Sequence, residues 1–308
     1  MRVLSKKTVK YLQFVAHQCI MCINIQKMVK KMKKILIIPN SEKDKDYKYT
    51  KELFDILKGK AHIVMPESDE KSGLNAEFKG DGLYDGVDAV IILGGDGTML
   101  QTAEPCGKRD IAVMGINLGK VGFMTEVETE YMRSACDRLL SDDFEVEKRM
   151  MMEIAIEEKD GKTQKFLALN DAVIAKPSAE MIMLELSANG EKVSEYISDG
   201  LIISTPTGST GYSLSAGGPV ADPQMQLFIA TPICAHMLSA RPMLLSAERI
   251  INVSLADGGD EVATVTVDGE DKCVIKKGDK VTVKHSEYAF KIIKLGRQSF
   301  YHTMMAKL

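Results

Sequence analysis

Histidine and cysteine are too scarce and too scattered in this sequence to build a metal site. The 308 residues include five His and six Cys. Cys19 and Cys22 have the CxxC spacing, but a structural zinc site needs four ligands, and neither a second pair nor a nearby His completes it. The other cysteines are spread out, as is usual for reduced thiols. We therefore expect a cytoplasmic protein with no metal bound directly by its own side chains.

Acidic residues are absent before Glu42, whereas residues 1–31 carry seven Lys or Arg. A net charge of −3 for the chain and +7 for this segment leaves −10 for the remainder. Proteins that bind nucleic acid need basic surface to displace counterions from phosphates. A folded body this acidic therefore argues against a nucleic-acid partner.

A long uninterrupted apolar run is also absent. The most apolar stretch of the extension, YLQFVAHQCIMCINI, is broken by polar residues such as Gln13 and Asn24, and it lacks a clear small-residue cleavage site. We therefore expect neither a signal peptide nor a membrane partner. Because Met28 and Met32 precede the first strand-like run, we interpret residues 1–31 first as a start assigned too far upstream, and second as a basic targeting or membrane-surface segment.

The region 32–143 alternates short apolar runs with longer amphipathic stretches. KILIIPN, HIVMP, DAVIILGG and IAVMGIN have the pattern of buried strands, whereas YKYTKELFDILKGK, TMLQTAEP and EVETEYMRSACDRLLSDD have helical spacing. Continuous apolar strands separated by helices indicate parallel strands covered on both faces. This pattern predicts an α/β N-terminal domain with an open, mainly parallel sheet.

The pattern changes in the region 144–290 to many short strands separated by turn signals. Asp160-Gly161, Asn189-Gly190 and Asp268-Gly269 each lie between strand-like runs, as hairpin turns do. This spacing predicts an all-β sandwich as the C-terminal domain. The last segment, 291–308, has helical spacing at its end, and we expect it to return to the first domain.

The stretch DAVIILGGDGT places an acid among glycines at the end of a buried strand. Ligands of open α/β sheets bind outside the carboxyl ends of strands, and glycines let backbone N–H groups approach phosphate oxygens. Gly94, Gly95, Gly97 and Thr98 are therefore candidate phosphate-binding residues. Asp96 would accept a proton from an attacking hydroxyl or hold the Mg²⁺ of a nucleotide. A plain Asp-Gly turn is the alternative, since neither GK[ST] nor G-x-G-x-x-G is present.

A second motif, TPTGSTGYSLSAGG, follows the strand-like run LIIS. Its hydroxyls both donate and accept hydrogen bonds, which suits a ribose or adenosine better than bare phosphate. Thr210 and Ser215 are among these hydroxyls, and Tyr212 offers a flat face for a base. A hydroxyl-rich structural turn is the alternative.

These motifs resemble those of the NAD kinases. GGDGT (94–98), NLGKVGFM (117–124), LND (169–171), DGLIISTPTGSTGYSLSAGGP (199–219) and VDGE (267–270) occur in that family's order. The resemblance extends from about Lys33 to Leu308. It implies an α/β domain joined to a β-sandwich, with phosphorylation of the 2′-hydroxyl of the adenosine ribose of NAD by ATP or another donor, supported by Mg²⁺ or another divalent cation.

The resemblance also implies roles for individual residues. Asp96 matches the family's proposed base. The NAD-binding positions implied are Asp96, Gly97, Phe123, Asn170, Asp171, Asp199, Thr210, Gly211, Tyr212 and Ser215. Many family members have Glu where Asp171 stands. Asp199 matches an acid that enters the site of a neighbouring subunit, which implies a homodimer or homotetramer.

Two other functions use part of the same pattern. A lipid kinase of the diacylglycerol or sphingosine type shares the GGDGT loop and a β domain, but it would need an apolar pocket, and TPTGSTGYSLS is polar. A non-catalytic sensor of NAD would keep the pocket without transferring phosphate, although such a protein has no use for Asp96.

Overall fold

The computed structural model describes residues 32–119, 122–257, 262–296 and 299–307. The basic extension 1–31, with Cys19 and Cys22, lies outside these described residues. Within the described ranges, no helix has both the length and the apolar character that crossing a membrane requires.

Eighteen strands are the main elements of the described chain. In order they are β1 Lys34–Pro39, β2 His62–Pro66, β3 Glu77–Lys79, β4 Ala89–Gly94, β5 Ala112–Asn117, β6 Val127–Glu128, β7 Glu145–Glu157, β8 Thr163–Ala168, β9 Asp171–Ala175, β10 Ile182–Ala188, β11 Glu191–Ser198, β12 Gly200–Ser204, β13 Leu227–Ile233, β14 Met243–Ser246, β15 Ile251–Leu255, β16 Val262–Val267, β17 Glu270–Lys276 and β18 Lys280–Lys294.

Short helices connect these strands. The α-helices are α1 Lys48–Leu57, α2 Asp96–Gln101, α3 Ala103–Lys108, α4 Met132–Ser141, α5 Tyr212–Ser215 and α6 Phe300–Lys307. Single 3₁₀ turns occupy Lys45–Tyr47, Glu67–Ser72, Thr129–Tyr131 and Thr207–Thr210.

The N-terminal part is a parallel sheet with helices on both faces. Its strands lie in the order β3-β2-β1-β4-β5, and all neighbours are parallel. Helices α1 and α4 bury Leu53 and Leu139 in the cluster on one face. Helices α2 and α3 bury Met99 and Cys106 in the cluster on the other. Because both faces are covered, β4 is buried along its whole length and ends at the glycine loop.

The C-terminal part is a β-sandwich. One of its sheets has six strands in the order β14-β13-β12-β9-β16-β17. It packs on β7, β10, β15 and β18 through a core that includes Tyr196 and Phe228. The predicted turns Asn189-Gly190 and Asp268-Gly269 both have positive φ at their two residues, which is the geometry that favours Asn-Gly and Asp-Gly in hairpins.

This arrangement confirms the predicted α/β and β-sandwich fold class, but the two parts share one sheet. The 15-residue strand β18 pairs with β7 along one edge. Its other edge pairs with β15 near its start and in parallel with β5 near its end, at Lys291 and Ile292. The result is a twelve-stranded sheet in the described residues. The two parts are therefore joined by backbone hydrogen bonds as well as by side-chain packing.

The helix predicted over residues 126–143 begins later than its sequence pattern suggests. Val127 and Glu128 form the short strand β6, which pairs with Ile116 and Asn117 at the end of β5. A 3₁₀ turn follows, and α4 starts at Met132. Pairing with β5 therefore prevails over helix periodicity in this segment.

Phe290 on β18 tests how strongly the shared strand holds the two parts together. Its side chain is fully buried in the cluster that also contains Leu36 and Leu167, one from each part. Truncation to alanine would leave a cavity between them, so we expect Phe290→Ala to lower the free energy of unfolding by about 3–5 kcal/mol. The matched control is Val274→Ala on β17, where the side chain is 54% exposed. Urea titration followed by circular dichroism should show almost no change for the control, and equal losses for both variants would contradict the packing role.

Candidate active site

The glycine loop at the end of β4 is held by close packing of its first glycine. A Cβ on Gly94 would lie 2.5 Å from the Oγ1 of Thr98. The Thr98 Oγ1 in turn accepts a hydrogen bond of 3.0 Å from the Nδ2 of Asn40, the residue after β1. Gly94 and Thr98 therefore shape the loop.

Gly95 and Gly97 leave room on the open side of this loop. A Cβ on Gly97 would meet nothing within 4 Å, and one on Gly95 would meet only the Nζ of Lys43, at 3.0 Å. Lys43 lies in the segment after β1, whose backbone N–H groups bond to the Oδ1 of Asn40. An ammonium group beside two unobstructed glycines is a suitable environment for a phosphate group.

The carboxylate of Asp96 is oriented by residues 123–125, in the loop between β5 and β6. Its Oδ2 accepts a hydrogen bond of 2.7 Å from the N–H of Phe123. Its Oδ1 accepts from the N–H groups of Met124 and Thr125, at 3.1 and 3.2 Å, and from the Thr125 hydroxyl at 3.2 Å. A carboxylate has about four accepting positions, two on each oxygen. Three donors therefore crowd Oδ1, and Oδ2 keeps one accepting position.

Phe123 contacts the C-terminal helix. Its ring centroid lies 5.6 Å from that of Phe300 on α6, and the Nζ of Lys307 lies 4.9 Å above its ring. Phe123 and Phe300 also line one cavity. The loop that orients Asp96 is therefore supported by the end of the chain.

The segment 169–171 and the hydroxyl-rich motif are brought into contact. A Cβ on Gly208 would lie 2.2 Å from the backbone oxygen of Asn170, so only glycine allows this approach. The position of a Cβ on Gly211 is 3.7 Å from the Nδ2 of Asn170 and 3.9 Å from the Oδ2 of Asp171. Asn170, Asp171 and Gly211, three of the residues predicted to bind NAD, therefore lie together.

Asn170 and Asp171 have buried polar side-chain atoms that lack the hydrogen bonds or opposite charges which would offset the loss of water. Among the described residues, the buried Oδ1 of Asn170 has no hydrogen-bond partner. Burial raises the pKa of Asp171 to about 7, and the nearby Asp268 carboxylate adds to the rise. Unsatisfied buried polar atoms cost stability, and they are found where a ligand supplies the missing partner.

The structure divides the hydroxyls of the 205–215 motif into two groups. Ser209 and Ser213 are fully buried and bond to the backbone of Pro206 and to the hydroxyl of Thr231, respectively. Thr210 is half-buried, whereas Tyr212 is 48% exposed and Ser215 is exposed. Part of the motif therefore supports the fold, as the structural alternative suggested, while the predicted site residues remain accessible.

Asp199 lies away from this group within the chain. It precedes β12, whereas Asp171 pairs with Ser204 at the opposite end of that strand, about 15 Å away. The Asp199 Oδ1 forms an ion pair of 2.7 Å with the Nζ of Lys176. The structure thus does not bring Asp199 together with the other predicted site residues of the same chain.

The glycine loop and the 169–171 segment are neighbours across the two parts of the protein. Met99 on α2 and Leu169 belong to the same buried cluster. Leu100 and Gln101 line one cavity together with Asp268, whose carboxylate bonds to the 169–171 backbone. The two predicted motifs therefore border one region of the molecule.

Three residues near the site were not predicted as site residues. Thr125 bonds to Asp96, Lys43 lies beside Gly95, and Asp268 binds the 169–171 backbone. Asp268 stands in a quoted motif, VDGE, but its Asp-Gly signal indicates only a turn. Lys43 and Thr125 carry no signal in a single sequence, because both approach the site through pairings of distant segments.

Within the described ranges, no three or more His, Cys, Asp or Glu side chains are grouped so that they could hold a metal ion.

Comparisons with known proteins agree with this geometry. Sequence models of the ATP-NAD kinase N-terminal and C-terminal domains match residues 35–144 and 169–295. The NAD kinase of Acetivibrio thermocellus is 38% identical over 286 residues, covering 90% of this chain and 97% of that protein. The NAD kinase of Lachnoclostridium phytofermentans is 35% identical over 283 residues, covering 90% and 99%.

Two solved structures have a similar fold. Yeast NADH kinase complexed with NADH superposes with a TM-score of 0.79 at 21% identity, covering 89% of this chain and 86% of that one. An NAD kinase from Archaeoglobus fulgidus in complex with ATP has a TM-score of 0.67 at 25% identity, covering 89% and 98%.

The matches to the two domain models and to these relatives identify an enzyme of the phosphotransferase class, with an α/β layer and a β-sandwich. The chain belongs to the NAD kinase family. The predicted family and class of enzyme are therefore confirmed.

The raised pKa of Asp171 predicts a pH-dependent effect on stability. Its folded-state pKa of about 7 exceeds the ordinary 3.8, so folding loses stability as pH rises from about 4 to 7 and the buried group ionises. Asp171→Asn removes this ionisation. We expect the stability of the variant relative to the native chain to be greater at pH 8 than at pH 5 by roughly 2–3 kcal/mol, measured by urea unfolding. A difference independent of pH would show that Asp171 is not the group responsible.

Proposed function

We propose that the chain transfers the terminal phosphoryl group of ATP, or of another phosphoryl donor, to the 2′-hydroxyl of the adenosine ribose of NAD, giving NADP. The observation that carries this proposal is the oriented Asp96 carboxylate beside an open glycine loop. Family membership supports the reaction. The roles of individual residues below rest on the contacts described above.

Asp96 is proposed to act as the base through its Oδ2. That atom has one hydrogen bond, from Phe123, and can still accept one from a ribose hydroxyl. As the oxygen attacks phosphorus, its proton passes to Oδ2, and the bond from phosphorus to the leaving oxygen of the donor breaks. A base positioned in this way contributes about 10²–10⁴-fold, or roughly 3–5 kcal/mol of barrier.

The donor phosphates are proposed to lie over the glycine loop. Gly95 and Gly97 leave that side open, and the Lys43 ammonium borders it. Stabilisation of charge is the main requirement of phosphoryl transfer. We propose that Mg²⁺ or another divalent cation arrives bound to the nucleotide.

NAD is proposed to bind on the sandwich side of the same region. The unpartnered Oδ1 of Asn170 would accept a hydrogen bond from the dinucleotide. Asp171, Thr210, Gly211 and Ser215 surround that position in our proposal. The exposed ring of Tyr212 would stack on a base. Phe123 contributes its N–H to Asp96, and the role of its ring in the NAD pocket stays a prediction.

Three further properties remain proposals. The separation of Asp199 from the site agrees with a homodimer or homotetramer in which this acid reaches a neighbouring subunit. The free thiols of Cys106, Cys136, Cys234 and Cys273 support a cytoplasmic location. The division of the chain into residues 32–143, 144–290 and 291–308 stays a prediction. Strand β18 spans the last of these boundaries.

Replacement of the proposed base is the direct test of function. We expect Asp96→Asn to lower kcat at least about a hundredfold, while the dissociation constant for NAD, measured by calorimetry, changes by less than about threefold. Thr125→Val is the matched control, because it removes one hydrogen bond to Oδ1 and keeps the carboxylate. Its kcat should fall by less than about tenfold.

Turnover close to the native rate in Asp96→Asn would remove Asp96 from its proposed role. The same assay separates the alternative functions. A lipid kinase would phosphorylate diacylglycerol in preference to NAD. A sensor would bind NAD and form no NADP even in the native chain.

Tyr212 tests the separation of the two substrates. Loss of a stacking face in Tyr212→Ala should raise KM for NAD at least about tenfold and change KM for ATP by less than about twofold. The exposed Tyr131, which lies between β6 and α4, is the matched control, and Tyr131→Phe should change neither constant. Equal losses for both substrates in Tyr212→Ala would contradict the placement of NAD.

A further inference from the structure

The turn between β16 and β17 begins with Asp268, whose carboxylate binds the backbone of residues 169–171, the segment proposed to bind NAD. The Asp268 Oδ2 accepts a hydrogen bond of 2.8 Å from the N–H of Leu169. Its Oδ1 accepts from the N–H groups of Asn170 and Asp171, at 2.8 and 3.1 Å. The Asp268 N–H donates to the backbone oxygen of Asp171 at 3.0 Å. One residue thus bonds to three consecutive residues of this segment.

The opposite side of the same segment is held by Thr205. Its N–H donates to the backbone oxygen of Asn170 at 2.8 Å, and its hydroxyl donates to the backbone oxygen of Leu169 at 2.5 Å. The peptide groups of the segment therefore have partners on both sides. The side chains of Asn170 and Asp171 that project from this backbone lie near Gly211, whose Cβ position is 3.7 Å from the Asn170 Nδ2 and 3.9 Å from the Asp171 Oδ2.

Burial of the Asp268 carboxylate lowers the free energy of unfolding, so stability alone does not explain an aspartate at this position. Burial raises its pKa to about 6, against the lowering effect of the three backbone hydrogen bonds. Its charge also contributes to the raised pKa of Asp171. A gain in the positioning of functional groups offsets these costs.

We propose that Asp268 is a positioning residue for NAD: by binding the N–H groups of residues 169–171, it holds the side chains of Asn170 and Asp171 in the orientation that receives the dinucleotide. It makes no contact with the reacting atoms. This inference rests on the proposed placement of NAD. It predicts that loss of Asp268 impairs NAD binding selectively, because the glycine loop lies on other strands.

Asp279 provides a matched control for the test. Its carboxylate is also buried and also binds backbone N–H groups, those of Lys159 and Lys276, both at 2.8 Å. It lies beyond the other end of β17, about 20 Å from Asp268. Replacement of Asp279 therefore removes a comparable carboxylate without reaching the NAD segment.

The experiment compares Asp268→Asn, Asp268→Ala and Asp279→Ala in the full chain by steady-state kinetics, calorimetric titration with NAD alone, and urea unfolding. We expect Asp268→Ala to raise KM and the dissociation constant for NAD at least about tenfold, with KM for ATP within about twofold of native. In Asp268→Asn the single oxygen can keep both bonds to Asn170 and Asp171. The increase should therefore be intermediate, about threefold. Asp279→Ala should lose similar stability with native KM for NAD.

Native binding of NAD in both Asp268 variants would overturn the proposal, as would equal increases of KM for NAD in Asp268→Ala and Asp279→Ala. Should Asp268→Ala fail to fold, Asp268→Asn decides by the same two criteria. Failure of the proposed function is distinguishable, because the native chain would then form no NADP, whatever the state of residue 268.

Discussion

The pairing of β18 with strands of both parts is the constraint on which the candidate site depends. Because β18 bonds to β15 and β7 in the sandwich and to β5 in the α/β layer, the two parts share one continuous sheet. The glycine loop follows β4, the neighbour of β5, and Leu169 of the 169–171 segment belongs to the same buried cluster as Met99 of α2. The hydrogen bonds of one strand thus set the distance between the proposed donor site and the proposed acceptor site.

Two aspartates near the candidate site accept hydrogen bonds from backbone N–H groups, but with opposite consequences. Asp96 is itself the proposed functional group, and the backbone of residues 123–125 orients it. Asp268 binds the backbone of residues 169–171 and orients the side chains that project from it. Backbone N–H groups suit both tasks, because they are fixed by the fold and favour the charged form of a carboxylate. Burial of the Asp268 carboxylate costs stability, and the proposed gain that offsets this cost is precision at the site.

Much of the fold was predictable because local patterns agree with the final arrangement. Continuous apolar runs predicted buried parallel strands, and the Asp-Gly and Asn-Gly pairs predicted hairpin turns that the structure contains. The start of α4 and the continuity of the sheet were not predictable, because each depends on pairing between distant residues, such as Lys291 with Ala112. At the site, GGDGT and the hydroxyl-rich motif were visible. The donors to Asp96 were not, because they lie 27–29 residues later on another loop.

The central claim is that Oδ2 of Asp96 receives the proton of the ribose 2′-hydroxyl. A crystal structure of the chain with NAD bound tests this most directly. We predict that Oδ2 lies within about 3.2 Å of the 2′ oxygen, or is joined to it by one water, and keeps its hydrogen bond from Phe123. A structure in which the adenosine ribose lies beyond the reach of Asp96 even through a bridging water would contradict it.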